Sequence, residues 1–320
     1  MRRVFISGAS GYLGTKLLAL MERIGEVERV VGVDVSLPRV RTGKLTFFKK
    51  DVREPLAQIL RAHKVDTVLH AAWILPPLHD SKLMESVNME GTRNVLRSSA
   101  EAGVERILHF SSTTAYGFHP DNPRVLTEES PLRGNAEFTY SKNKREAEEV
   151  CLHFHESHPG IGLTVLRPCF VCGPGFANPM ARYLEKKTVV VPREHAPLQY
   201  VHEDDLVEAV RTVLEQSRTG VYNIAADGTI SFPEMVRALG NHPLLLPLPV
   251  VTALTAAAWA LRIRALTEFP PQALALLRYS WIASNQKLRR ETGFRFRYTT
   301  REAFEDYARH VKARARSLNR

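Results

Sequence analysis

Apolar positions along the chain fall into short continuous runs that alternate with stretches of helical spacing. Val4, Phe5 and Ile6 form the first run, and Leu17, Leu18 and Met21 then recur on one helical face. The pattern repeats. Strands are predicted over 27–34, 45–48, 65–70, 104–110 and 161–167, with helices over 56–63, 86–100 and 138–154. Apolar strands separated by amphipathic helices predict an α/β fold with a parallel sheet covered on both faces.

After Pro168 the alternation breaks. A Gly/Pro-rich stretch over 173–179 leads to a short helix over 180–187 and a short strand over 188–191. Residues 198–202 return, with acidic capping by Glu203, Asp204 and Asp205 of a helix over 206–216, then a strand over 221–225. Ser231 and Glu234 predict a capping box for a helix over 232–239. Residues 278–284 are expected to return to the sheet side, followed by helices over 285–292 and 301–317. The expected division is a dinucleotide-binding core over 1–168, an excursion into a smaller lobe over 169–197, a return to the core over 198–228, and the lobe with C-terminal helices over 229–320.

The stretch 244–261 is almost wholly apolar, but Pro247 and Pro249 shorten its usable part to 250–261. A spanning helix needs about 20 apolar residues. The stretch therefore predicts a lid or a lobe helix, with peripheral membrane contact through 250–264 and the basic C-terminus as the alternative. The net charge of +10 is concentrated there, since residues 261–320 hold 14 Lys or Arg against 5 Asp or Glu. The remainder is nearly neutral, which argues against a nucleic-acid footprint over the whole surface. The three cysteines, Cys151, Cys169 and Cys172, make no disulfide framework, and neither they nor His153, His155 and His158 have metal-ligand spacing with other donors. No signal peptide is expected ahead of the first strand, so the protein is expected to be cytoplasmic.

The candidate chemistry begins at Gly8-Ala9-Ser10-Gly11-Tyr12-Leu13-Gly14, between the first strand and the first helix. Strand, glycine turn and helix place backbone N–H groups beneath a pyrophosphate. Asp34 ends the second strand, where a carboxylate accepts from ribose hydroxyls and repels a 2′-phosphate. This favours NAD over NADP, although Arg39 and Arg41 lie nearby. Asp51 is placed to accept from the adenine amine, and the small Ala71 and Ala72 let backbone pass close to the cofactor. The loop 73–78, starting at Trp73, predicts an apolar pocket wall. Hydroxyls gather at Ser111, Ser112, Thr113 and Thr114. Tyr140 and Lys144 lie four apart on one helix face, where an ammonium lowers the phenol's pKa. Tyr140 then exchanges a proton with a substrate oxygen, Lys144 also binds the nicotinamide ribose, and Ser112 orients the oxygen. His70 reads as structural, and Asn88 as a cross-link from mid-helix to a neighbouring loop.

These residues resemble the extended short-chain dehydrogenase/reductases of the NAD-dependent epimerase/dehydratase group. The resemblance rests on Gly8-x-x-Gly11-x-x-Gly14, Asp34, Asp51-Val52, His70-Ala71-Ala72, Asn88-x-x-Gly91-Thr92-x-Asn94, Ser111-Ser112, Tyr116-Gly117, Tyr140-x-x-x-Lys144, Arg167-Pro168, Gly173-Pro174-Gly175 and Val201-His202-x-Asp204-Asp205. It implies a Rossmann doubly wound parallel sheet with a smaller C-terminal substrate lobe, NAD as cofactor, and Tyr140, Lys144 and Ser112 as the catalytic set. It also implies Val52 and Pro168 beside the cofactor and a homodimer built on two helices per subunit. The departures bear on substrate. Thr113 and Thr114 stand where the dehydratases carry an Asp-Glu pair, and Phe170 stands where the nucleotide-sugar epimerases carry an asparagine on the diphosphate. The expected activity is therefore hydride transfer between NAD and an apolar, hydroxysteroid-like secondary alcohol or ketone, with Trp73, Thr113 and Phe170 in the substrate pocket. The alternatives are a nucleotide-sugar 4-epimerase and a non-catalytic dinucleotide-binding sensor or scaffold.

Overall fold

The computed structural model describes residues 1–40, 42–75 and 80–318. Arg41, the 76–78 part of the predicted apolar loop and Arg320 lie outside the described residues. The strands are β1 (Arg3–Ser7), β2 (Arg29–Asp34), β3 (Leu45–Lys49), β4 (Thr67–His70), β5 (Arg106–Phe110), β6 (Gly162–Pro168), β7 (Phe170–Cys172), β8 (Thr188–Pro192), β9 (Tyr200–His202), β10 (Gly220–Ile224) and β11 (His242–Leu246). The α-helices are α1 (Tyr12–Arg23), α2 (Ala57–Ala62), α3 (Ser81–Glu85), α4 (Gly91–Ala102), α5 (Thr139–Ser157), α6 (Pro179–Leu184), α7 (Glu203–Glu215), α8 (Phe232–Ala238), α9 (Leu248–Ala260), α10 (Ala275–Arg278), α11 (Gln286–Thr292) and α12 (Thr300–Leu318).

Among the described residues, seven strands make one sheet in the order β10-β6-β5-β4-β1-β2-β3. The pairs β1–β2, β2–β3, β1–β4, β4–β5 and β5–β6 are all parallel. The order reverses at β1, so the carboxyl ends of β1 and β4 flank the switch point at which ligands bind in such sheets. This is the doubly wound Rossmann sheet that the alternation predicts.

The chain divides into two compact units. Unit 1 holds Met1–Ser112, Asn143–Arg167 and Val207–Tyr222; unit 2 holds Thr113–Lys142, Pro168–Leu206 and Asn223–Arg320. The division differs from the expected one over 113–142, which joins unit 2, and over 198–206 and 223–228, which were expected in the core and also join unit 2. Phe118, Leu126 and Phe138 are buried in that unit's core, Tyr116 Oη donates to Asn223 Oδ1 at 2.8 Å, and Leu126 forms a bridge with Ala283. Apolar residues inside a polar, proline-rich loop are too sparse to give a period, so their destination was hidden. The stretch 278–284 does not go to the sheet side either. Trp281 is buried in the core of unit 2, and the backbone N of Ala283 donates to Gln199 Oε1.

Two further expectations change in detail. The predicted helix over 86–100 is interrupted by a π-helical turn at Ser86–Glu90. Asn88 sits in that turn, accepting from Ile74 N at 2.8 Å and donating to Ile74 O, which is the cross-link expected of it. The predicted acidic cap of α7 is a set of tertiary ties within unit 2. Glu203 accepts from Gly175 N, and the buried Asp205 accepts from the backbone N of both Arg297 and Tyr298 at 3.1 Å. The Ser231–Glu234 capping box forms as predicted, and 244–261 divides into the end of β11, paired parallel with β8, and helix α9.

Asp205→Ala leaves two backbone donors without their carboxylate. Urea denaturation is expected to show a loss of about 2 kcal/mol, and no measurable loss would refute this role for Asp205.

Candidate active site

Unit 1 carries its motif residues at the carboxyl ends of its strands. Gly8 follows β1 with φ +71°, and a Cβ there would lie 2.6 Å from Ala72 Cα. A Cβ on Gly14 would lie 2.0 Å from Gly8 O. Both positions require glycine, and both require it because backbone passes backbone. Gly11 is the N-cap of α1; no side chain caps that end, and the first turn, which includes Tyr12, Leu13 and Gly14, carries no carboxylate. The arrangement suits an external anion at the helix N-terminus.

Asp34 is fixed beside this loop. Its Oδ2 accepts from Ser10 N and its Oδ1 from Ser36 N, each at 3.0 Å. A carboxylate has about four acceptor sites, so capacity for two ribose hydroxyls remains. Asp51 is more committed than the sequence suggests. It accepts from Arg53 N and Nε and from Arg53 Nη2 at 2.8 Å, and that side-chain hydrogen bond chiefly holds its carboxyl below the usual range.

The family-like motifs of unit 1 turn out to be ties between one another. Ala72 N donates to Ser7 Oγ, which lies 2.7 Å from His70 Nδ1. His70 Nε2 lies 3.0 Å from Thr92 Oγ1, and Thr92 donates to Asn88 O. With the threonine proton spent on Asn88, His70 donates from Nε2, and in the neutral ring Nδ1 accepts from Ser7 Oγ. Burial pushes its pKa down to about 3. His70 is structural, as the sequence reading has it. Gly91 faces Val52, whose Cγ1 would lie 2.5 Å from an added Cβ, and Asn94 donates to the carbonyls of Val52 and Glu54 at 2.7 Å.

Lys144 lies at the centre of unit 1's part of the site and is 3% exposed. Its Nζ donates to Phe110 O at 2.7 Å and stands 3.6 Å from the centroid of the Trp73 ring. Burial pushes its pKa down to about 7 from the usual 10.5. Trp73, expected in the substrate pocket, is thus a partner of the lysine. One turn further along α5, the buried Glu148 accepts from Ser111 Oγ at 2.6 Å and from Arg167 Nε at 2.9 Å. Ser111 is engaged by that pair, and Ser112 is buried just beyond the end of β5. The Glu148–Arg167 pair escaped the sequence reading. Its one signal was the i,i+4 spacing of Glu148 from Lys144.

Unit 2 holds the other residues that the sequence singles out. Tyr140 is half-buried near the start of α5, with its ring centroid 6.2 Å from that of Phe138. The helix carries Tyr140 and Lys144 four residues apart on one face. Thr113 is buried with its Oγ1 turned to Pro168 O at 3.4 Å, a poor position for a pocket wall. Phe170 stacks on Tyr200 at 5.3 Å and meets Trp281 edge-on at 5.1 Å.

The sequence model of the NAD dependent epimerase/dehydratase family matches residues 4–225. An uncharacterized protein of Mycobacterium tuberculosis is 30% identical over 315 residues, covering 96% of this chain and 83% of its own. The N-acetyl-α-D-glucosaminyl-diphospho-ditrans,octacis-undecaprenol 4-epimerase of Escherichia coli O157:H7 is 30% identical over 177 residues, 53% of this chain and 49% of its own. Among solved structures, the UDP-glucose 4-epimerase of Thermotoga maritima superposes with a TM-score of 0.77 at 19% identity, over 98% of this chain and 99% of that one. A short-chain dehydrogenase/reductase superfamily protein of Agrobacterium tumefaciens with bound NAD gives 0.75 at 20% identity over the whole of both chains. The glycine loop, the Asp34 carboxylate and the Tyr140–Lys144 helix stand within or beside the matched span in the places the sequence assigns them, and the chain belongs to the NAD-dependent epimerase/dehydratase family.

Proposed function

We propose that this NAD-dependent enzyme oxidises or reduces an apolar secondary alcohol or ketone. The observation that supports the apolar substrate is the aromatic stack of Phe170, Tyr200 and Trp281 in unit 2. Phe170 is the half-buried member of that stack, with Tyr200 and Trp281 buried behind it; its ring offers a diphosphate no donor and suits a hydrocarbon skeleton.

Bound NAD supplies the hydride acceptor, and its reduced form the donor. The chain's own residues handle the proton and the orientation. The N-terminus of α1 holds the pyrophosphate, and Asp34 takes the adenosine ribose. Ser112 donates to the substrate oxygen. Tyr140 takes the hydroxyl proton during oxidation and returns it during reduction. Lys144 favours the phenolate when charged, and its pKa of about 7 lets it gain or lose its own proton near neutrality. The enzyme is proposed to be a homodimer through the helical stretch that follows Glu85 (the π-helical turn and α4) and α5, where Met89 and Val150 lie among charged residues in an open groove. Among the described residues no helix is long and apolar enough to cross a membrane.

The second reading, a nucleotide-sugar 4-epimerase, draws on the names of the Escherichia coli and Thermotoga maritima proteins. Absorbance at 340 nm separates the two, because oxidation accumulates NADH and epimerisation does not. With a panel of hydroxysteroids and apolar secondary alcohols, steady NADH growth is expected, and Tyr140→Phe is expected to lower kcat by about 100-fold or more with NAD binding retained. A UDP-sugar converted to its epimer without net NADH would overturn the dehydrogenase reading.

Lys144 also predicts a pH-dependent stability. Between pH 7 and 10.5 the unfolded chain keeps a proton on this lysine that the folded protein releases, so its burial penalty fades as pH rises. In Lys144→Met that penalty is absent at every pH. The Tm of the variant relative to wild type is therefore expected to fall steadily from about pH 7 to pH 9.5. A difference that stays flat over this range would contradict the buried, depressed lysine.

A further inference from the structure

Unit 2 holds an apolar cavity of about 190 Å³ between α9, α6, β8 and the segment 266–277. None of Trp73, Thr113 and Phe170 lines it. Its walls include Val251, Leu254 and Ala258 of α9 and Phe232 of α8. Two of its polar side chains are already satisfied by backbone: Tyr183 Oη donates to Val190 O at 2.7 Å, and Thr267 Oγ1 donates to Phe269 O at 3.0 Å. A water molecule needs about 10–15 Å³ of such space and two to four polar partners. The room is ample and the partners are few, which suits hydrocarbon better than water.

The mouth is marked by residues that line the cavity and still meet solvent. Leu254 is 52% exposed and Leu266 is 60% exposed. Charge gathers beside them. Lys186 Nζ donates to Ala265 O at 2.7 Å and to Leu266 O. Arg182 pairs with Glu268, and Arg264 acts on the same carboxylate through its charge. Three cations against one carboxylate leave the rim positive.

From this geometry we infer that the cavity is a binding site for a long-chain anionic amphiphile, with the hydrocarbon chain inside against α9 and the anionic head at the Arg182–Lys186–Arg264 rim. The apolar volume, open at its mouth, selects one flexible chain, and the rim selects the charge at its end. The site is separate from the hydride-transfer residues, and binding there does not depend on the reaction proposed above.

The test is equilibrium binding with the full chain. A dansyl-labelled undecanoic acid is titrated into the protein and its fluorescence followed, then displaced with palmitate, octanoate and hexadecanol. Saturable binding is expected, with palmitate displacing the probe at least 10-fold more effectively than octanoate and several-fold more effectively than hexadecanol. Ala258→Phe and Ala273→Leu fill the cavity from two sides. Either variant that keeps the wild-type Tm or exceeds it is expected to bind the probe at least 10-fold more weakly, and should both melt lower, Arg264→Glu decides by losing the preference for palmitate over hexadecanol. Sedimentation with phosphatidylglycerol vesicles identifies the source of the chain. Co-sedimentation that a cavity-filling variant abolishes assigns it to a bilayer lipid, and no co-sedimentation together with palmitate binding assigns it to a free amphiphile. Absence of saturable probe binding, undiminished binding by a folded cavity-filling variant, or an Arg264→Glu variant that still prefers palmitate would overturn the inference, as would vesicle binding that survives cavity filling.

Discussion

An amine cannot be buried charged unless something nearby replaces the water it has lost, and Lys144 is where this chain meets that demand. The side chain meets a carbonyl acceptor, Phe110 O, and an aromatic face, Trp73. Both are weaker than hydration, so the ammonium is held down to about 7. The surroundings follow from keeping this arrangement. β5 must end where its last carbonyl reaches Nζ. The loop after β4 must carry an indole to the same place, and it does so because Ser7, His70 and Ala72 tie its first residues to β1. Glu148, one turn on, pairs with Arg167, and its charge still acts on the lysine, raising its pKa against the larger effect of burial.

The same economy runs through the rest of unit 1. Residues that look catalytic in a motif are often ties. Asn88 holds Ile74, Thr92 fixes the tautomer of His70, and Asn94 holds the backbone that follows β3. The proposed function asks chemistry of few groups: the N-terminus of α1, the Asp34 carboxylate, Ser112, Tyr140 and Lys144. An enzyme that shifts a proton and accepts a hydride on its cofactor needs little more.

What the sequence made legible was whatever is local. The glycine loop, the Tyr140–Lys144 spacing and the Ser231–Glu234 box each lie within one turn or one loop, so residue order alone places them. Strand and helix alternation revealed the sheet because each strand carries its own apolar run. What stayed hidden was carried by contacts between distant positions. Asp205 meets residues 92 and 93 positions away, so it looked like a helix cap. Trp73 meets Lys144, 71 positions along the chain, which no local pattern announces. The 113–142 loop has too few apolar residues to announce that it packs in unit 2. The cavity beneath α9 cannot be read from composition, since a filled and an unfilled apolar lobe have the same sequence pattern.

The central claim is that Lys144 is buried and titrates near neutrality. Its direct test is a ¹³C NMR titration of the protein with lysines labelled at Cε, with the Lys144 resonance assigned by its loss in Lys144→Met. The account predicts one lysine titrating near pH 7, well apart from the lysines near their ordinary value of about 10.4. A Lys144 resonance that titrates with the others would contradict it and remove the basis for a lysine poised beside Tyr140.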